Sequence, residues 1–237
     1  METNMKAKAL GYLEKNFEKC VDMIVCILHD DIDFIYCEND GVFIYDKSAF
    51  LYMIATDSEE TCLKATAGAR DIKLVACHNP YERDIIKRKY TFAGCNECFQ
   101  VIWRKERPAM PGKFRIKRLE PTEENVEFVF KNYTLAFSRE HLAFIMKNLG
   151  MYAAYTGENI AGFIGRHEER SIGLMEVLPE YRRMGVATEL ALFMINRVMD
   201  EGEIPYGQVI VDNEKSIAMQ KKLGFTFSES HVYWLYS

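Results

Sequence analysis

A mixed α/β layer fold laid out in two parts is what this sequence predicts, and three observations predict it. Along residues 114–236, apolar runs of strand length interchange with longer apolar-periodic stretches of helical length, the pattern of a sheet covered by helices. The stretch RKERPAMPGKF, residues 104–114, carries two prolines, a glycine and no hydrophobic periodicity, and reads as a surface connection. The cysteines are lopsided, since Cys20, Cys26, Cys37, Cys62, Cys77, Cys95 and Cys98 all precede that stretch. The reading is a first unit over residues 1–107, a linker over 108–113 and a second unit over 114–237.

The second part reads in order. Residues 114–119 alternate as a short strand, and Thr122 caps a helix that begins with Glu123 and Glu124. Ser138 caps another helix that runs to about Asn148 and ends at Gly150. Residues 151–156 and 160–166 flank Gly157-Glu158-Asn159, a hairpin signal, and 172–177 form a third strand. A helix over 185–200, a buried strand over 208–211, a helix over 215–223 and an aromatic, β-branched strand over 231–236 complete the order βααβββαβαβ. In the first part, residues 34–37, 42–45 and 51–55 predict three meandering strands, with a helix over 59–69 and a strand over 73–77 behind them. CHNPYERDIIKRKY, from Cys77, can be laid against VDNEKSIAMQKKLG, from Val211. That overlay sets Asn79 on Asn213 and Lys87-Arg88 on Lys221-Lys222, so the first part is read as a worn copy of the second.

Bulk properties narrow the function classes. With 49% hydrophobic and 27% charged residues in 237, the chain can bury a real core. A net charge of -5 with no concentrated basic face argues against nucleic acid. The apolar run 23–28 is far short of the roughly 20 residues a membrane helix needs, and Asp22, Asp30 and Asp31 around it do not suit a secretory leader. The expectation is a cytoplasmic protein with reduced thiols and no membrane partner.

The segment VLPEYRRMGVATEL, residues 177–190, carries the chemistry. A strand ends, a turn brings Arg182 and Arg183, and Gly185 and Ala187 open a helix. Small residues there allow close approach of a ligand, while the free N–H groups of the first turn and the helix dipole face an anion. Together with Met184, Val186 and Thr188, this loop is suited to holding a pyrophosphate.

These residues resemble the GNAT superfamily of N-acyltransferases, whose R/Q-x-x-G-x-G/A loop stands here as Arg182, Arg183, Met184, Gly185, Val186 and Ala187. The second family block, N-x-x-[AS] leading to L-G-F, stands as Asn213, Ser216 and Leu223-Gly224-Phe225. LPEYR and AMQK give a narrower likeness to glycine N-acyltransferase-type proteins, which carry a degenerate copy of the fold in front of the active one. The resemblance implies a central twisted mixed sheet with helices on both faces, and acetyl-CoA or another short acyl-CoA as co-substrate. It implies acyl transfer to the amine of a small molecule or peptide by direct attack on the thioester. The strand ending at Val177 would splay from the strand at 208–211 to admit the pantetheine arm, with backbone near Leu178 bonding the arm and the Val177 amide facing the thioester oxygen.

Two departures bear on catalysis. The family's usual base position is Ser171 here, which leaves Glu176 as the candidate base, with a carboxylate paired to an arginine as its structural alternative. The usual tyrosine acid is Gln220, which donates a hydrogen bond but no proton. A rival reading is therefore a CoA-binding sensor or partner protein with little turnover. The first part's counterpart of the loop, TDSEETCLKA at residues 56–65, is acidic and is not expected to bind CoA. Cys95-x-x-Cys98 with Cys77-His78 offers a weak zinc alternative; the main reading expects no metal and small buried cysteines. Arg139, His141 and Tyr155 are candidates for the acceptor cleft, and a homodimer is left open.

Overall fold

The structure, a computed structural model, describes residues 2–29, 31–133 and 138–237. In chain order the elements are α1 (Glu2–Leu13), a 3₁₀ turn (Glu14–Asn16), α2 (Phe17–Leu28), β1 (Ile32–Glu38), β2 (Gly41–Asp46), β3 (Leu51–Thr56), α3 (Glu59–Ala65), β4 (Leu74–Cys77), α4 (Pro80–Lys89) and β5 (Gly94–Ile102). There follow β6 (Arg115–Leu119), α5 (Glu123–Asn132), α6 (Arg139–Asn148), β7 (Met151–Thr156), β8 (Asn159–Arg166), β9 (Ile172–Val177), a 3₁₀ turn (Pro179–Tyr181), α7 (Val186–Asp200), β10 (Tyr206–Ile210), α8 (Glu214–Leu223) and β11 (Thr226–Tyr236). The succession from α1 to β5 matches that from α5 to β11, helix for helix and strand for strand. Asn79 and Asn213, aligned by sequence, are the N-caps of α4 and α8. Among the described residues, no helix is long and apolar enough to cross a membrane.

The chain divides into two compact units, and the division is not collinear. One unit comprises Met1–Ile102 and Gln208–Ser237, the other Trp103–Gly207. The sequence reading kept 114–237 together; instead, β11 is hydrogen-bonded between β4 and β5. Strand partners far apart in sequence leave no local signal, because alternation fixes which face a residue takes and not which strand it pairs with.

In the first unit, β1, β2 and β3 form an antiparallel meander and β4 runs parallel to β3. The strand order is β1-β2-β3-β4-β11-β5-β10. Helix α2, which the sequence reading did not assign, is buried from Cys20 to Ile27. The sequence reading weighed its apolar run, residues 23–28, only as a membrane or leader segment, and that run forms the second half of the helix.

A buried polar knot joins these elements. The Glu82 carboxylate accepts from the Thr56 N–H (2.6 Å), the Thr56 hydroxyl (2.7 Å), the His78 N–H (2.8 Å) and the Asn79 N–H (2.8 Å), which ties the end of β3 to the start of α4. His78 Nδ1 lies 2.7 Å from the Ile54 carbonyl, and Nε2 lies 2.8 Å from the Asp22 carboxylate. A ring with both nitrogens facing acceptors is best satisfied as the imidazolium. Burial alone would lower the His78 pKa, but Asp22, then Glu82 and the carbonyl, reverse this and the net direction is up. A raised histidine contributes stability that is complete below its unfolded value, about 6.5, and is lost as pH rises through the folded value. Urea midpoints of the wild type should therefore fall above about pH 6.5 relative to those of His78→Gln, and parallel curves would show that His78 is neutral.

In the second unit, β6-β7-β8-β9 is an antiparallel sheet. Thr122 and Ser138 cap α5 and α6 through their side chains. Successive residues take opposite faces: Ala153 and Phe163 pack with α5 and α6, Ala154 and Ile164 with α7. The basic linker is strapped along α7. Arg107 pairs with Asp200, Asn196 Nδ2 donates to the Pro108 carbonyl (3.1 Å), and Glu189 accepts from the Lys113 and Phe114 amides (3.1 and 3.2 Å).

Candidate functional site

The end of β9 and the start of α7 hold most of the residues singled out from the sequence. Against β8, Glu176 faces Phe163 and Gly173 faces Gly165, so Leu174 and Met175 together oppose Ile164. This is a β-bulge, and Leu174 takes the left-handed conformation there, φ 48°. Leu174 then packs with α5 and α6, while Met175 and Val177 turn toward α7. By alternation Glu176 shares the α5 and α6 face with Leu174.

Glu176 is ion-paired. Its Oε1 accepts from the Val177 N–H at 3.3 Å and lies 3.4 Å from Arg182 Nη2. Arg182 Nε donates to the Val177 carbonyl at 3.1 Å, and the Leu178 N–H is taken by the Ala161 carbonyl at 3.0 Å. The two polar groups of Val177 are thus both satisfied by neighbouring side chains, and Arg182 bridges strand and loop. This arrangement is the arginine-paired alternative anticipated for Glu176.

Beyond Arg182 the loop has the opposite character. The backbone N–H groups of residues 183–188 donate to no other described group of the protein. Helix α7 has no side-chain cap; Gly185 precedes it at φ 95°, and a Cβ built there would meet nothing within 4 Å. Arg183, also left-handed at φ 63°, is exposed and has no described partner, and Met184 is half exposed. Val186 is buried under β8 neighbours, which anchors the helix start while Ala187 and Thr188 stay partly open. The acid in the first turn, Glu189, is turned inward onto the linker amides. A run of free N–H groups at a helix start beside two arginines is an anion cradle, since each orphan donor and the dipole favour negative charge.

The start of α3 differs on each count. The Ser58 hydroxyl accepts from the Thr61 N–H, and Glu59 and Glu60 occupy the first turn. The end of the preceding strand is closed by Glu82, which holds the Thr56 amide.

Other sequence candidates have settled partners. Asn213 Oδ1 accepts from the Ser216 N–H at 3.1 Å and so caps α8, in the first unit. Gln220 lies on α8, and its buried Oε1 has no partner among the described residues. Ser171 is buried and donates to Glu169, whose own carboxyl is pushed up by burial. Neither is placed as a free base. His141 Nε2 lies 3.3 Å from Glu168, Arg139 makes a paired contact with Glu127, and Tyr155 lies under Arg115. Cys95 and Cys98, three apart on β5, point to opposite faces, and burial pushes the Cys98 thiol up to about 12. His78 is already engaged with Asp22, and among the described residues no group of His, Cys, Asp and Glu is placed to hold a metal.

Sequence reasoning missed Tyr133. It follows α5, stacks edge-on against Phe163 at 6.4 Å, and its phenol is pushed up to about 12 by burial and by the Glu176 carboxylate. No motif marks it. A tyrosine closing an amphipathic helix looks like core until the bulge brings Glu176 to the same face.

Residues 148–235 match the family described as FR47-like protein. A Drosophila protein solved as a structural-genomics target superposes with TM-score 0.71 at 13% identity, covering 99% of this chain and 96% of its own. A GCN5-related N-acetyltransferase from Kribbella flavida gives 0.57 at 11% identity over 93% and 95%. A GCN5-related N-acetyltransferase-like protein from Streptococcus suis gives 0.55 at 14% identity over 97% and 99%. No curated protein matches. The fold is the GNAT fold, a mixed sheet flanked by helices, as the resemblance implied.

Proposed function

We propose that this chain is an acyl-CoA-dependent N-acyltransferase that moves an acetyl or other short acyl group onto the amine of a small molecule or peptide. The observation that carries this reading is the run of unpartnered backbone N–H groups at 183–188, opening an uncapped helix beside Arg182 and Arg183. The CoA pyrophosphate is the chemical match, with Arg182, Arg183, Met184, Gly185, Val186, Ala187 and Thr188 as its loop and Val177 and Leu178 along the arm. The acyl-CoA supplies an activated thioester; the chain supplies position, an N–H at Val177 for the developing oxyanion, and Glu176 as proton acceptor.

Acetyl-CoA titration by calorimetry tests the cofactor, and an amine library assayed for thiol release tests the transfer. Binding without release by any amine would favour the sensor reading, to which Gln220 and the engaged Ser171 lend weight. Absence of binding would remove both readings. Tyr133 is assigned to the acceptor side. Tyr133→Phe should leave acetyl-CoA affinity unchanged and slow amine-dependent turnover about two- to tenfold, the worth of one hydrogen bond. Equal loss of cofactor affinity would place Tyr133 elsewhere.

A further inference from the structure

The first unit contains a cavity of ≈ 200 Å³ between the break that joins α1 to α2, the end of β3 and the start of α4. Its polar lining includes Tyr12, Asn16, Lys19, Asp57, Asn79 and Tyr81. At roughly 30 Å³ per water, it has room for about seven water-sized groups, less than a drug-sized pocket and enough for a small metabolite.

The walls are fixed by bonds that leave specific capacity unused. Asn79 Nδ2 donates to the Thr56 carbonyl (3.0 Å) and to Glu82 (3.0 Å), so its Oδ1 is the atom that receives Lys19 Nζ at 2.6 Å. Lys19 has three N–H donors and spends one there. Tyr12 donates to Asp57 Oδ1 at 2.8 Å; burial and then that bond hold the phenol in its protonated form. Asp57 Oδ2 and the Asn16 amide have no partner among the described residues. The backbone irregularities of this helical segment fall at the same wall, in the 3₁₀ turn Glu14–Asn16 and at Cys20 (φ -109°, ψ 16°).

One ammonium and one carboxylate therefore line a single small polar cavity, each with hydrogen-bonding capacity to spare. Among the described residues they form no ion pair with one another. A ligand bearing only one charge would leave the opposite wall to water, whereas a dipolar ligand engages both. We propose that this cavity binds a free α-amino acid with a short side chain, its carboxylate on Lys19 and the Asn16 amide and its ammonium on Asp57. The site is separate from the proposed acyl-CoA loop and does not depend on it.

The test is calorimetry and thermal denaturation of the full chain with glycine, L-serine, L-valine and L-aspartate. Acetate, propionate, methylamine and ethylamine are the single-charge controls. At least one amino acid should bind and raise Tm with increasing concentration, and the controls should bind about tenfold more weakly or worse. Lys19→Met and Asp57→Asn should each weaken the amino acid about tenfold or more, as expected for loss of a charged hydrogen bond. Gly185→Glu should leave it unchanged. Failure of every amino acid to bind overturns the proposal, as does equal binding of a single-charge control or unchanged affinity in both variants. The ligand comparison uses wild-type protein, so it stands even where a variant folds poorly.

Discussion

Gly185→Glu is expected to lower acetyl-CoA affinity by at least about 100-fold, and Gly185→Ala by considerably less. The two variants share one defect. Gly185 sits at φ 95°, where any L side chain costs about 1–2 kcal/mol. They share no steric clash, because a Cβ at this position meets nothing within 4 Å. What separates them is charge. A glutamate here places a carboxylate among the free N–H groups of 183–188 and within reach of Arg183, so the cradle acquires an anion of its own. A pyrophosphate would then meet repulsion of about 1–4 kcal/mol per unit charge at 4 Å, depending on how wet the loop is, and would compete for the same donors. Calorimetry of both variants, with circular dichroism to confirm folding, separates the contributions. Equal losses in Ala and Glu would mean that backbone geometry alone decides binding. No loss in Glu would mean that the anion binds elsewhere and that the loop reading fails.

The backbone geometry of the 182–188 loop was legible in sequence because every part of it is local. Gly185 is required by its own φ, the free donors belong to consecutive residues, and the arginines adjoin them. Helix caps were legible for the same reason: Thr122 and Ser138 each bond a residue three positions on, whereas Asn213, read from its motif as a cofactor residue, is also a cap. The features that eluded sequence reading depend on distant partners. Placement of β11 between β4 and β5 joins residues more than a hundred positions apart, and nothing in its own alternation names those partners. Glu82 reads as an ordinary capping-box acid at the third position of α4. Only the fold shows that it also holds both donors of Thr56, at the end of β3. Helix α2 was missed because its apolar run, residues 23–28, was weighed only against the length of a membrane helix. The linker looked loose because its anchors, Glu189, Asn196 and Asp200, lie far downstream on α7.

Glu176→Gln is the variant that decides whether the chemistry is present. In the free protein the Glu176 carboxylate engages the Val177 amide and Arg182, two groups that the proposed reaction needs for other purposes. Glutamine keeps the shape and an acceptor for the Val177 N–H but gives up the attraction to Arg182. Glu176 and Arg182 are both partly exposed, with side chains 28% and 57% accessible, so the pair is worth about 0.2–1 kcal/mol. Releasing it should leave acetyl-CoA affinity unchanged or tighten it by up to about fivefold. If Glu176 takes the amine proton, the same variant should lose about 100-fold or more in kcat. Turnover thus falls while affinity holds or rises, a pattern that general damage to the site does not produce. A modest gain in affinity with undiminished kcat would make Glu176 a latch and nothing else, and the proton would have to leave through solvent. Parallel losses in both would mean that the carboxylate is needed to shape the end of β9. The sign of the difference between the two changes therefore distinguishes base, latch and scaffold in one pair of measurements.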